Sequence, residues 1–411
     1  MLGRFNLNRR NCEYHDMKKS HFILLFLSSL IIWTTGNGLL PLLPVYAKSL
    51  GANDFMVGAY LAFSYLCLAL GVMSSGYIVG PQVSRKRLII YSGLVCLPLT
   101  WLMGWVNSVE LLIPITSLLW FLGGIAFSAL NTLASDLTAP RSRGAFFSLF
   151  AMASPLGAII GGLISGPVVD QWGYQTLFSL MTLVTLLWPL SICLLEVPLD
   201  SVGPVNGVEP VSQAGKNEQS APLNTNIVWL VLASLAAFTA NFMGTLGVSL
   251  SMNELGFNAT EITSTAVVGG LIALPFIYGI GRLSDLFGRK KFWLICCASG
   301  LVALYLLPTA VSLWNYWWVA LLLRIFSTGN RGISNAWVVD LSNGLNVPKL
   351  IALLGSVTWV GGIVGYLMTG YGLSHWGRDM TFDVALLFSI CAIIFVTPIK
   401  YSPNENVKVA I

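Results

Sequence analysis

Twelve apolar stretches separated by short polar turns dominate this chain, and they leave few folds open to it. They run over about 22–46, 55–79, 88–106, 110–135, 144–168, 174–195, 226–250, 262–281, 292–311, 314–340, 350–372 and 381–399. A helix needs about 20 apolar residues to cross the hydrocarbon core of a bilayer. Of the 411 residues, 55% are hydrophobic and 9% charged, against about 25% charged in a soluble domain. Lipid is therefore the main solvent. Glycine and proline recur inside the stretches, as membrane helices tolerate. The expected fold is all-α and integral to the membrane, with twelve transmembrane helices.

One polar gap interrupts the pattern. Glu196 to Asn226 is rich in Gly, Pro, Ser, Asn and charge, the composition of a flexible linker. It divides six stretches from six and predicts units at 1–195 and 226–411 joined by a linker at 196–225. Met1 to Ser20 is polar and basic, and Phe22 to Tyr46 is too long for the core of a cleaved leader, so this stretch reads as the first membrane helix.

Charge sets the expected orientation. With the first residue in the cytoplasm, all but four of the 22 Lys and Arg fall on that side. Lys48 and Arg378 fall outside, and Arg324 and Arg331 lie within a helix. The positive-inside rule then predicts a multi-pass plasma (inner) membrane protein with both termini and the linker cytoplasmic. The net charge of +5 is no nucleic-acid signal, because the bases sit in short loops between apolar runs. The seven cysteines show no metal spacing and read as packing residues.

The chain repeats itself. At an offset of 204, Thr35 and Asn37 fall on Thr239 and Asn241, Asn131 on Asn335, and Asp136 on Asp340. Gly157, Gly161 and Gly166 fall on Gly361, Gly365 and Gly370, and Trp172-Gly173 on Trp376-Gly377. At an offset of 205, Gly76 falls on Gly281 and Arg85-Lys86 on Lys290-Lys291. Two pseudo-symmetric six-helix bundles are expected, related by an axis along the membrane normal.

Between the eighth and ninth stretches lies Gly281-Arg-Leu-Ser-Asp285-Leu-Phe-Gly288-Arg289-Lys290-Lys291. The spacing resembles the cytoplasmic signature loop of the major facilitator superfamily of transporters, with Leu286 where members often carry a base. The first copy, Gly76 to Arg87, has Gly80 in place of the Asp and Ser84 in place of the Arg. The resemblance covers almost the whole chain. It implies that helices 1, 4, 7 and 10 line a central cavity, and that Asp340 pairs with Arg289 and Asp136 with Arg85 as gate contacts that break when the cavity opens inward. Gly157 to Gly166 is similar to the glycine-rich signature of antiporter members, with Gly162 replacing the usual Pro. Packing alone also explains it, since small residues four apart let helices approach closely.

Polar residues inside the stretches are the candidate cavity. Asn37, Asn131, Asn241 and Asn335 lie on helices 1, 4, 7 and 10, where a buried amide needs partners or water. Arg324, Thr328, Arg331 and Asn335 share one face of helix 10, spaced 4, 3 and 4. At the repeat-related places helix 4 carries Trp120, Gly124, Phe127 and Asn131. A charge at a helix centre costs about 2.5–3.5 kcal/mol, and no Asp or Glu lies mid-helix to pair with the arginines. Arg331 has a second reading, as a partner of Asp340. Asn258-Ala-Thr260 matches a glycosylation sequon, a triplet too short to weigh.

The expected function is secondary transport of a small solute by alternating access, in the direction of efflux, with the proton as candidate coupling ion. An importer or exchanger of a small organic anion is the alternative drawn from Arg324 and Arg331. A non-transporting receptor or scaffold is the alternative from another class. The phosphate-binding pattern of ATP-driven machines does not occur, and no His, Cys, Ser and carboxylate cluster suggests an enzyme. Expected partners are the substrate and the lipid bilayer. No nucleic acid, metal or cofactor is expected, and the chain is expected to act as a monomer.

Overall fold

A computed structural model describes residues 19–79, 84–138, 143–196, 224–342 and 346–399. Most of the expected linker, both termini and the first-half loop residues 80–83 lie outside the described residues. The rest is helical, with no strand among the described residues.

Thirteen helices follow one another. The first six spans are built from α1 (Lys19–Leu39), α2 (Leu43–Ser49), α3 (Asp54–Ile78), α4 (Arg85–Met103), α5 (Val109–Leu137), α6 (Arg143–Ala151) and α7 (Ala153–Cys193). The last six are α8 (Thr225–Glu254), α9 (Ala259–Phe287), α10 (Arg289–Leu306), α11 (Leu313–Leu341), α12 (Val347–His375) and α13 (Arg378–Val396). Pro41 and Pro44 punctuate the first span, so α2 prolongs α1 after a break. α7 is two spans joined at Gly173, whose φ of 78° interrupts the helix. α6 runs on into the first α7 span, so counted this way the helices make twelve long segments. Nine of the described helical runs meet a strict length and hydropathy standard for crossing a membrane, and one of the nine is the 48-residue run that holds two spans. α10 falls short of it because Arg289, Lys290 and Lys291 crowd its start, and α11 because its arginines, tryptophans and asparagines lower its hydropathy. Large apolar side chains cover the outside, with Leu163 60% and Leu183 64% exposed. Such a surface is stable only against lipid.

Glycine governs the closest helix contacts. A Cβ on Gly161 of α7 would lie 2.5 Å from Gly38 Cα of α1, and one on Gly365 of α12 would lie 2.7 Å from Thr239 O of α8. Each half thus closes on its own first helix by direct backbone approach. Gly162 and Gly166 face the other way, toward Thr263 and Thr260 of α9. The glycine-rich stretch therefore packs on two neighbours at once.

The repeat holds in three dimensions, with two corrections to its register. Ser165 Oγ donates to Gly38 O, and Thr369 Oγ1 reaches Met243 O. Gly161 abuts Thr34 O, and Gly365 abuts Thr239 O. Helix 1 and α8 therefore correspond at 205, not 204, so Asn37 matches Phe242 and Asn241 matches Gly36. Beyond α3 the offset drops to 204. Lys86 Nζ donates to Leu195 O at 2.7 Å, and Lys290 Nζ to Ile399 O at 3.0 Å. Arg85-Lys86 thus corresponds to Arg289-Lys290. The physical reason is that the first-half connection between α3 and α4 is one residue longer. Ser84, which seemed to displace the Arg, instead caps α4 by accepting from Arg87 N.

The signature stretch is also mostly helix. α9 continues through Gly281 and Asp285 to Phe287, and Gly288 alone makes the turn, at φ 86°. A side chain is strained at such a φ, so only this glycine is needed for the turn.

Candidate functional site

A cavity of about 290 Å³ lies between the two halves, lined from α1, α2, α3, α4, α5, α7, α8, α9, α11 and α12. Its lining includes Asn37, Trp120, Phe127, Asn241, Arg324 and Arg331. Asn131, Thr328 and Asn335, expected on the same surface, do not line it. Asn131 Nδ2 instead donates to Phe127 O, on its own helix, at 2.8 Å. On α11 the lining stripe is Ala320, Leu323, Arg324, Ser327 and Arg331, a helical i, i+3, i+4, i+7 face that passes beside Thr328. Asn335 sits a turn beyond Arg331 toward the basic face, outside the cavity.

Arg324 is half-buried and Arg331 exposed within this span. Among the described residues neither makes an ion pair. The expected alternative partner of Arg331, Asp340, is held by Arg289 Nε. Arg331 Cζ lies 5.8 Å from the centroid of the Phe238 ring. Such a cation–π contact contributes about 0.5–1 kcal/mol at an exposed site, too little to neutralise a charge. Arg324 lies along α9 where Gly269 leaves room, since a Cβ there would stand 3.3 Å from Arg324 Nε.

Part of the lining is aromatic. Tyr65 of α3 is the hub, its ring 5.1 Å from Trp120, 5.2 Å from Phe242, 5.9 Å from Trp359 and 4.9 Å from Tyr366. Trp33 stacks edge-on to Phe127 at 5.4 Å. These pairs span both halves. Each gains about 0.5–1.5 kcal/mol beyond area burial. The amides differ from each other. Asn37 Nδ2 donates to Ser154 Oγ at 3.1 Å, whereas Asn241 Oδ1 accepts no hydrogen bond among the described residues.

At the face opposite the bases the two halves are hydrogen-bonded to each other. There Asp170, at the end of the first α7 span, accepts from Ala259 N at 2.9 Å, Thr260 N at 2.8 Å and Thr260 Oγ1 at 2.5 Å. A carboxylate suits a helix N-terminus, where free N–H groups and the dipole favour negative charge. Among the described residues, the repeat-related seam has a single such bond, Phe55 N donating to Ser374 Oγ at 2.9 Å. Asn258 of the sequon triplet caps α9, its Oδ1 accepting from Glu261 N.

The remaining sequence-predicted residues stand at the basic face. Arg85 Nη1 meets Asp136 Oδ2 at 2.6 Å, and Arg289 Nε meets Asp340 Oδ2. Asp285 also contacts Arg289, at 3.2 Å. Lys290 caps the carbonyls of Thr397 and Ile399. Each pair lies inside one half, α4 to α5 or α10 to α11. They are the pairings that the resemblance implies, and each ties neighbouring helices within its own half. Sequence reasoning missed Tyr65, Trp359 and Asp170. Tyr65 and Trp359 sit on α3 and α12, helices that the resemblance did not assign to the lining. Asp170 was readable, since the 204 offset pairs it with Ser374, a carboxylate in one copy against a hydroxyl in the other.

With this architecture in hand, the comparison with known proteins is direct. The Major Facilitator Superfamily profile matches residues 25–334 and 230–410. The chain belongs to that superfamily. It is 24% identical over 388 residues to the multidrug resistance protein MdtG of Proteus mirabilis, covering 89% of this chain and 92% of that one. It is 23% identical over 290 residues to a multi-drug resistance efflux pump PmrA homolog of Lactococcus lactis, covering 67% of this chain and 69% of that one. In fold it is similar to the nucleoside transporter NupG, with a TM-score of 0.70 at 13% identity over 94% of this chain and 100% of that one. Membership makes it a multi-pass membrane transporter with a small-molecule substrate.

Proposed function

We propose that the protein is an exporter that loads its solute from the cytoplasm and releases it by alternating access of units at 1–195 and 226–411, joined by a linker at 196–225. The observation that carries this reading is the cavity between the halves, which are hydrogen-bonded to each other at the face opposite the bases, with exposed Arg331 on the basic side. The positive-inside rule assigns the basic face, both termini and the linker to the cytoplasm of a plasma or inner membrane, so this state faces inward. The names of the multidrug relatives support the direction. Asn37, Trp120, Phe127, Asn241, Arg324 and Arg331 are the proposed contacts. The chain acts as a monomer in this reading, with the proton as candidate counter-ion.

The test is accumulation of fluorescent solutes of both charges, ethidium and carboxyfluorescein, in an efflux-deficient host with and without the protein. Lower accumulation of either is the expected result. Higher accumulation would replace export by uptake, the second reading that the unpaired arginines favour. No change in either solute contradicts transport in this host. Export that ignores collapse of the pH gradient removes the proton.

A further inference from the structure

Among the described residues, the cavity lining holds two cations and no carboxylate. Arg324 and Arg331 are part of its lining, whereas Asp54, Asp136, Asp170, Glu254, Glu261, Asp285, Asp340 and Asp379 all stand at or near helix ends. A guanidinium in a span costs free energy unless water or an anion answers it. The same cavity is lined by the flat rings of Tyr65, Trp120 and Trp359. Polar groups line the cavity from several helices, but its charged groups, among the described residues, are the two guanidiniums of α11. A ligand that satisfies both the guanidiniums and the rings carries an acidic group at one end and an aromatic body at the other.

We propose that the substrates are amphipathic aromatic anions, carboxylates or sulfonates, whose charged group docks on Arg324 and Arg331 while the ring enters the Tyr65 cluster. Arg324 makes the principal contact, since it is the more buried of the two and is laid against α9 by Gly269. Guanidinium forks match carboxylate and sulfonate oxygens with two parallel N–H donors. A size-matched aromatic cation meets the same ring wall but two like charges. The proposal rests on the transporter reading and narrows it to one charge class.

The experiment is a thermal-shift and equilibrium-binding series on the purified full-length protein with naphthalene-2-sulfonate, 2-naphthol and 2-naphthyltrimethylammonium. A ligand of the native state raises its apparent stability. The expected result is binding in the order anion, neutral, cation, with the anion preferred at least tenfold over the cation. Arg324→Gln should lose at least tenfold in anion affinity and little for naphthol, and Arg324→Lys should recover part of the loss. Gly269→Val tests the same point without touching a charge, because the added atoms push Arg324 from its place and anion affinity should fall. Equal affinity for anion and cation, preference for the cation, or an anion affinity unchanged in Arg324→Gln overturns the proposal. Binding of the cation with the arginines irrelevant would leave the transporter reading standing and remove only the charge class. Loss of solute export by every probe, with anion binding intact, would do the reverse.

Discussion

α5 and α11 occupy repeat-related places, yet they present opposite chemistry to the space between them. α5 offers Trp120 and Phe127, and α11 offers Arg324 and Arg331 at the same offset of 204. The frame around them is duplicated in detail. Arg85 with Asp136 repeats as Arg289 with Asp340, and Lys86 on Leu195 O repeats as Lys290 on Ile399 O. Gly173 and Gly377 turn the chain at φ 78° and 80°. The difference teaches where to look for function. What is common to both halves holds helices at fixed distances, and what differs between them lines the cavity or joins the halves at the face opposite the bases.

That division can be broken most forcefully at the frame. Gly161→Leu and Gly365→Leu both drive a side chain into the backbone of the facing first helix. Each should cost about 3 kcal/mol, at the upper end for overpacking, and the two should cost alike. Apparent melting temperature and yield after detergent extraction would check it. A large loss in one half and none in the other would mean that the repeat is not a shared frame.

The next test sharpens the comparison at the two seams opposite the basic face. Asp170→Ala removes three bonds at the start of α9, and Ser374→Ala removes one at the start of α3. The first should cost about 1–2 kcal/mol, comparable to losing a strong helix cap, and the second about 0.5–1 kcal/mol. Asp170→Ala should also raise labelling of a cysteine placed at Thr245, on the cavity wall, by an impermeant thiol reagent added from outside. Equal labelling in wild type and variant would make Asp170 a cap without a gating role.

The smallest effects belong to the paired charges at the basic face. Arg85→Ala and Arg289→Ala should each cost about 0–1 kcal/mol, as partly exposed ion pairs do. A double swap, Arg289→Asp with Asp340→Arg, should regain the stability lost by either single change. Failure to regain it would show that the contact is incidental.

The parts of this molecule that were legible in the sequence follow from a single physical demand. Each span must be apolar for about 20 residues, so helix positions, and hence the fold, were on the page before any coordinates. The glycine stripes and Asp340 were legible as well, because close approach and helix ends have strong residue preferences. Register was harder. Thr35 and Asn37 match Thr239 and Asn241 by letter, but the one-residue difference between α3 and α4 shifts the pairing by about 100° around the helix. The cavity was partly legible. Arg324 and Arg331 stood out because charge is costly in lipid. Tyr65 and Trp359 did not, since an aromatic ring in an apolar helix has many uses and only packing selects one. Thr328 and Asn335 shared the predicted face yet miss the cavity, because the lining stripe is narrower than a helix face and ends near Arg331.

Counterflow in proteoliposomes tests the central claim most directly. Vesicles loaded with naphthalene-2-sulfonate or with 2-naphthyltrimethylammonium would be diluted into a trace of the same labelled compound, for wild type and Arg324→Gln. Labelled sulfonate should enter the wild-type vesicles at least tenfold faster than the labelled ammonium compound, and Arg324→Gln should abolish that preference. Ammonium exchange as fast as sulfonate exchange, or a preference that survives in Arg324→Gln, would show that the asymmetry between α5 and α11 does not select the solute.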